Sequence, residues 1–411
     1  MDLIIGAGIS GLSYANFCRH GNYLIIDKDA DIGGYCKTVK QDGFTWDYSG
    51  HFFHFRNNEI KDYLLQEMKD QEILNVEKQT QIKYGNRYID FPFQKNIHQL
   101  PKQEFIDCLY DLFNNEYIDE GTFKTMLYAK FGKSIANKFL IPYNEKLYAC
   151  DLDDLDASAM GRFFPYADKY EIIRNFKKPD NFSYNSFFTY PKGGAIEYVN
   201  SLFKRIDKNK ISLNEELLSI DIHNKIATTN KRKIKYDRIV SSIPFPMLME
   251  KCGIEFNREI YSWNKVLVFN LGFNKKGIDK KNHWVYFPEK KYAFYRIGYY
   301  DNIFGDDRLS LYVELGFDKN EDVRKDEYLP VIIEDLKKAG IITEHKLVSH
   351  VSILMDPAYV HISRKSIKDV ENQKLKLQKQ GIYSIGRYGS WTYCSIEDNI
   401  IEAKNLNSKY K

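Results

Sequence analysis

The chain reads as an α/β protein: a discontinuous Rossmann-like dinucleotide-binding domain, a mainly helical insertion, and an antiparallel sheet on the substrate side. Three observations predict this. Residues 2–27 run strand, glycine turn, helix, strand, acid; helical periodicity dominates after residue 95; and beyond Phe187 short apolar runs alternate with polar turns.

Leu3-Ile4-Ile5 is a short buried-strand pattern, followed by Gly6-Ala7-Gly8-Ile9-Ser10-Gly11 and a helical stretch from Leu12 to Cys18. A second apolar run, Tyr23 to Ile26, ends at Asp27. The spacing has physical causes. Gly6 permits a tight turn, Gly8 lets backbone approach a pyrophosphate, and Gly11 brings helix and sheet together. The helix N-terminus then offers free N–H groups to an anion, and Asp27 can accept hydrogen bonds from a ribose diol.

Periodicity predicts helices over 59–68, 104–114 and 123–140. Strands are expected over 211–222, 234–243, 266–273, 283–287, 293–300 and 309–315. The run ending at Ile243-Pro244 reads as a strand returning to the first domain. A helix near Tyr328 to Lys338 follows, and Ile382 to Arg387 form a last strand entering a C-terminal helix. The expected division is 1–90, 190–262 and 365–411 for the cofactor domain, 91–189 for the helical insertion, and 263–364 for the antiparallel sheet.

Composition narrows the function classes. The 411 residues, 43% hydrophobic and 28% charged, suit a folded protein of two to three domains. A net charge of +4 is far below the clustered excess expected of a nucleic-acid binder. Cys18, Cys36, Cys108, Cys150, Cys252 and Cys394 are scattered without a CxxC pair, which argues against a disulfide framework and a structural zinc. No His/Cys/carboxylate group has metal-ligand spacing, so no metal is expected. With no basic leader and no long apolar run, the expected location is cytoplasmic, without a membrane span. Aromatics reach 15%, with 31 Tyr and 27 Phe, so an isolated tyrosine means little.

Gly33-Gly34 and the late Gly386-Arg387 turn resemble the extended FAD fingerprint of the amine oxidase and protoporphyrinogen oxidase superfamily. Within it, the chain resembles the UDP-galactopyranose mutases over most of its length. The matching segments are Phe91-Pro92-Phe93-Gln94-Lys95-Asn96-Ile97, Pro142-Tyr143-Asn144 with Gly161-Arg162, Trp284-Val285-Tyr286-Phe287-Pro288-Glu289 with Phe294-Tyr295-Arg296, and Gly386-Arg387-Tyr388-Gly389-Ser390-Trp391-Thr392-Tyr393. Several matches in one order are far more specific than any single one.

The resemblance implies a flavin-dependent mutase that interconverts pyranose and furanose forms of a nucleotide-diphosphate sugar for surface polysaccharide synthesis. The sugar would be UDP-galactose or a related UDP- or dTDP-linked deoxy- or amino-sugar. Reduced FAD would attack the anomeric carbon through N5, with NAD(P)H or another reductant supplying the electrons. The diphosphate must be stabilised as it departs, which suits Arg162 and Arg296, since guanidinium–phosphate bonds are worth roughly 1.5–3 kcal/mol each. Arg162 sits in an otherwise apolar Gly161-Arg162-Phe163-Phe164 run, where an unpaired charge is costly.

By the same resemblance Tyr359 and Tyr393 face the phosphates, and His51 sits against the flavin. Gln94, Trp284, Tyr286, Asn185 and Phe91 contact the rest of the substrate. Gly6, Gly8, Gly11, Asp27, Gly33, Gly34, Gly50, Leu217, Gly386 and Arg387 hold the cofactor. Two departures bear on the ligand: Phe91 replaces a tyrosine near the nucleobase, and Ile303 stands where related enzymes place a phosphate-side tyrosine. The alternatives are an FAD-dependent amine oxidase or desaturase, and a flavin-binding protein that has lost catalysis. Homo-oligomerisation is left open.

Overall fold

The computed structural model describes residues 1–182 and 186–409. Its first layer is a five-stranded, all-parallel sheet in the order Ile382–Ser384, Arg238–Ser241, β1 (Asp2–Ile5), β2 (Tyr23–Ile26), Ile211–Ser212. Leu3, Ile4, Ile25, Ile26 and Ile239 are fully buried, as expected of strands covered on both faces. Helix α1 (Ile9–Phe17) crosses between β1 and β2 and packs on helices Ile196–Phe203 and Ile396–Ser408. Three separate stretches of chain thus supply one sheet.

The second layer is a larger sheet in the order Leu347–Met355, Ser262–Phe273, Ser310–Asp318, Arg296–Tyr299, Trp284–Tyr286, Thr80–Tyr84, Arg87–Asp90. The neighbours are antiparallel except for one pair, Trp284–Tyr286 with Thr80–Tyr84, which is parallel. The sheet is therefore mixed rather than purely antiparallel. It recruits residues 80–90 from the N-terminal stretch. One face packs on helix Lys325–Lys338 through Val285, Ile297, Val313, Ile332 and Leu336, all fully buried. Helices Lys102–Phe113, Phe123–Ile135, Ile141–Tyr148 and Lys169–Lys177 form the helical part. Among the described residues no helix is long and apolar enough to cross a membrane.

Two expected strands are each divided, for physical reasons. The run 211–222 leaves the parallel sheet after Ser212, because Asn214 takes a left-handed conformation (φ 52°) and the Glu215 N–H donates to the Asp27 carbonyl. It resumes as Leu217–Asp221 in a small three-stranded antiparallel sheet. Lys233–Lys235 closes that small sheet, whereas Arg238–Ser241 enters the parallel one. Strand Leu347–Met355 and helices Ile196–Phe203 and Arg364–Lys379 were not anticipated. The expected helix 123–140 is interrupted at Gly132 (φ 74°), opens into a wide turn over Ala136–Leu140, and continues as Ile141–Tyr148.

The tightest constraint in the first layer is Gly11, where a Cβ would lie 1.9 Å from the Gly6 carbonyl oxygen. Gly11→Ala should therefore cost ~1–3 kcal/mol of unfolding free energy in a urea titration; an unchanged midpoint would contradict this packing.

Candidate functional site

The turn after β1 is built to receive an anion. Gly6 has φ 104°, and the Gly33 N–H donates to the Ala7 carbonyl at 2.9 Å, laying Gly33-Gly34 over the turn. Gly8 caps α1 without any side-chain hydrogen bond, and no acid occupies the first helical turn, so its N–H groups remain open. A Cβ on Gly8 would find nothing nearer than 4.0 Å, so the space above it is real. Asp27 receives the Ala7 and Asp29 N–H groups at 2.6 and 2.8 Å, which leaves each carboxylate oxygen further acceptor capacity. Leu217 is buried just past the Glu215 contact with Asp27.

The Gly386-Arg387 turn meets α1 directly. A Cβ on Gly386 (φ 83°) would touch Ser10 Oγ at 2.3 Å, and both the Arg387 N–H and the Ser10 hydroxyl donate to Asn399 Oδ1, at 2.8 and 3.1 Å. The Arg387 side chain enters no ion pair among the described residues, and its buried Nε has no hydrogen-bond partner. An N–H-rich turn with free space, a carboxylate and an unpaired guanidinium together fit the phosphates and ribose of a dinucleotide.

Beside Arg387 lies a cavity of about 240 Å³. Its walls come from the 49–54 loop, helix Ile141–Tyr148, the turn Gly161–Phe163, strands of the second sheet, and the C-terminal stretch. Arg296 faces Glu314 across neighbouring antiparallel strands, and its Nε donates to Glu314 Oε2 at 2.6 Å. The Ser49 hydroxyl donates to the other oxygen of Glu314. The terminal nitrogens of Arg296 make no hydrogen bond among the described residues. Tyr359 and Tyr393 stack at 5.9 Å, and the Arg387 guanidinium lies 5.0 and 4.6 Å from their rings. Trp284 stacks on Phe52 at 5.6 Å and donates its indole N–H to the Tyr286 hydroxyl at 2.9 Å; Phe91 packs on Tyr286.

Of the residues expected at a site, Gly50, His51, Phe91, Trp284, Tyr286, Arg296, Tyr359, Arg387 and Tyr393 line this cavity. Arg162 does not. The apolar run suggested a buried charge, but it forms an exposed 3₁₀ turn that turns Phe163 inward, and Arg162, 41% exposed, holds both oxygens of Asp398 at 2.8 and 2.7 Å. Gln94 is buried behind the wall, donating to the Pro165 carbonyl. Asn185 lies outside the described residues. Ile303 is buried in a short helix away from the cavity.

Several cavity residues were missed. Tyr312 fits only because Gly298 and Gly50 lack side chains: a Cβ there would lie 1.8 and 2.6 Å from its ring and hydroxyl. A polar, period-two pair (Tyr312, Glu314) inside a buried strand was the available signal. His54 also lines the cavity, donating from Nδ1 to the Phe187 carbonyl at 2.7 Å. At the opposite end of β1, Asp2, Cys18 and His20 bring ligand atoms within 4.8 Å of one another, a grouping invisible in the spacing. Arg238 already holds that Asp2 carboxylate, at 2.9 Å.

Burial lowers the pKa of His51 to about 4, and the nearby Arg387 charge adds to the effect; burial does the same to His54 and His283. These imidazoles are neutral at pH 7. Unfolded, they titrate near 6.5, so between about 6.5 and about 4 the unfolded chain takes up protons the fold refuses, and their contribution to stability is lost as pH falls. The melting temperature should drop over that interval, and drop less in His51→Gln; identical pH profiles for the two proteins would contradict this.

Gly8→Ala separates fold from ligand. Its methyl group has room in the ligand-free protein, so melting should shift by no more than about 2 °C, while retained dinucleotide falls sharply. Full cofactor content in that variant would show that nothing lies over the turn.

Residues 4–66 match the family described as NAD(P)-binding Rossmann-like domain. Over the whole chain the fold is similar to a crystal structure of reduced UDP-galactopyranose mutase, at TM-score 0.91 and 22% identity, covering 99% of this chain and 94% of that one. A putative protoporphyrinogen oxidase from Exiguobacterium sp. 255-15 superposes at TM-score 0.77 and 16% identity, covering 99% and 98%. Cyclohexylamine oxidase from Brevibacterium oxydans IH-35A follows at 0.69 and 13%, with the same coverage. The expected α/β, Rossmann-like architecture is the one found, and the resemblance to the mutases and the amine oxidase superfamily holds at the level of fold.

Proposed function

We propose that the protein binds FAD and interconverts the pyranose and furanose forms of a nucleotide-diphosphate sugar. The observation that carries this reading is Arg296: a half-buried guanidinium anchored through Nε alone, with its phosphate-binding end unpartnered in a cavity next to a dinucleotide cradle. The whole-chain likeness in fold to a UDP-galactopyranose mutase supports it.

Gly6, Gly8, Gly11, Gly33 and Gly34 would admit the FAD pyrophosphate to backbone N–H groups, Asp27 its ribose, and Arg387 its phosphate charge. Reduced FAD would supply an electron-rich nitrogen to the anomeric carbon. The residues around it do the rest. Arg296 receives the leaving diphosphate, so the negative charge that develops meets a preorganised cation rather than reorganising water. Tyr359 and Tyr393, held in a stacked pair by Arg387, offer hydroxyl donors to the same oxygens. Phe52, Phe91, Trp284 and Tyr286 wall the cavity with rings and exclude water from the reacting centre. His51, neutral and with a buried Nδ1 lacking any partner, can hold or accept a hydrogen bond beside the cofactor without adding charge. Phe91, in place of a hydroxylated ring, favours a less hydrogen-bonded ligand, which suits a deoxysugar or a dTDP nucleotide as well as UDP-galactose.

The protein, reduced with dithionite and offered UDP- and dTDP-sugars, should yield a furanose product without consuming oxygen. Oxygen-dependent turnover of an amine would replace this reading with that of an oxidase. Arg296→Ala should lower mutase turnover by at least ~100-fold, the scale of losing one transition-state donor; a near-wild-type rate would remove Arg296 from the site.

A further inference from the structure

Lys146 occupies a position that neither the sequence motifs nor the mutase reading uses. It sits on helix Ile141–Tyr148, whose Tyr143 and Asn144 line the cavity, but its own side chain turns the other way. There the ammonium lies within hydrogen-bond distance of four backbone carbonyls of one loop, its three N–H groups shared among Phe287 at 2.9 Å, Glu289 at 3.2 Å, Tyr292 at 2.9 Å and Phe294 at 2.5 Å. It makes no ion pair among the described residues. Burial works against the charge, pulling the pKa down to about 7, with Asp335 and Glu289 opposing; four oxygens that can only accept favour the protonated form.

The loop so held connects two strands of the cavity. Trp284–Tyr286 enters it and Arg296–Tyr299 leaves it, closed by the Phe287 N–H on the Tyr295 carbonyl at 2.8 Å. The end of the helix is pressed on the Glu314 strand, since a Cβ on Gly316 would lie 2.3 Å from the Lys146 carbonyl oxygen. Tyr143 meets Tyr286 edge-on at 4.9 Å and Tyr295 at 6.2 Å. The loop is also held by the Ala293 N–H on Asp335 at 2.8 Å and by the buried Phe287, Tyr292 and Phe294 rings, but its converging carbonyls repel one another, and a cation at their centre offsets that repulsion.

We propose that Lys146 is a positioning residue: its ammonium fastens the 287–294 loop to helix Ile141–Tyr148 and so fixes Arg296 relative to Tyr143 within the cavity. The effect on ligand binding rests on the reading that Arg296 receives a diphosphate; the effect on the loop does not.

Two measurements on Lys146→Met and Lys146→Arg keep these apart. Amide hydrogen exchange needs no ligand: in Lys146→Met it should rise ~10-fold or more across 287–296 while 310–318 and the melting temperature change little, with Lys146→Arg restoring much of the protection. Calorimetric titration with UDP, on flavin-loaded protein, should show affinity weakened ~10-fold or more in Lys146→Met and far less in Lys146→Arg. Unchanged exchange in the loop overturns the proposal outright. Faster exchange with unaltered UDP affinity overturns its link to the site. Failure of the wild-type protein to bind UDP or dTDP counts against the mutase reading instead, and leaves the exchange result to decide on Lys146. Should Lys146→Met not fold, Lys146→Gln, with two donors, takes its place in both measurements.

Discussion

Glu314 holds the cavity together. It is fully buried in the middle of the second sheet and serves two groups from different parts of the chain: Arg296 on the adjacent strand and Ser49 on the loop that follows residue 47. A buried carboxylate without partners would cost several kcal/mol, and these two contacts, one to each oxygen, offset that cost. Together they join the sheet that carries the guanidinium to the loop that carries Gly50 and His51. Because Glu314 takes only Nε, the bond that neutralises Arg296 leaves its terminal nitrogens available to a ligand.

Arg387 shows the complementary arrangement. Its backbone is fixed by Asn399, which also holds Ser10 at the start of α1, and its guanidinium lies against the Tyr359 and Tyr393 rings rather than a carboxylate. Cation–π contact supports the charge without discharging it. The cradle after β1 and the cavity thus share one cation at their boundary. That sharing makes a dinucleotide and a second anion natural neighbours in this fold.

The sequence revealed most where chemistry is local. The Gly6 to Asp27 unit was legible because a tight turn, a close approach and an acid each demand a residue type at a fixed spacing. Arg296 and Tyr359 were legible only through ordered motifs, since their partners lie on other strands. Arg162 pairs with Asp398, 236 residues away, a partner that no local pattern announces. Glu314 and Tyr312 left a faint trace as polar positions in a buried strand, while the carbonyl acceptors of Lys146 belong to the backbone and leave none. Strands 211–222 and 234–243 divided because Asn214 and Asp237 mark where the chain changes sheets, a choice made by tertiary partners such as the Asp27 carbonyl.

A crystal structure of the flavin-loaded protein with a bound nucleoside diphosphate tests the central claim most directly. The account predicts phosphate oxygens within hydrogen-bond distance of the Arg296 terminal nitrogens, with Glu314 still on Nε and the Tyr359 and Tyr393 hydroxyls turned toward the same group. A diphosphate bound elsewhere, with Arg296 engaged by Glu314 alone, would contradict it.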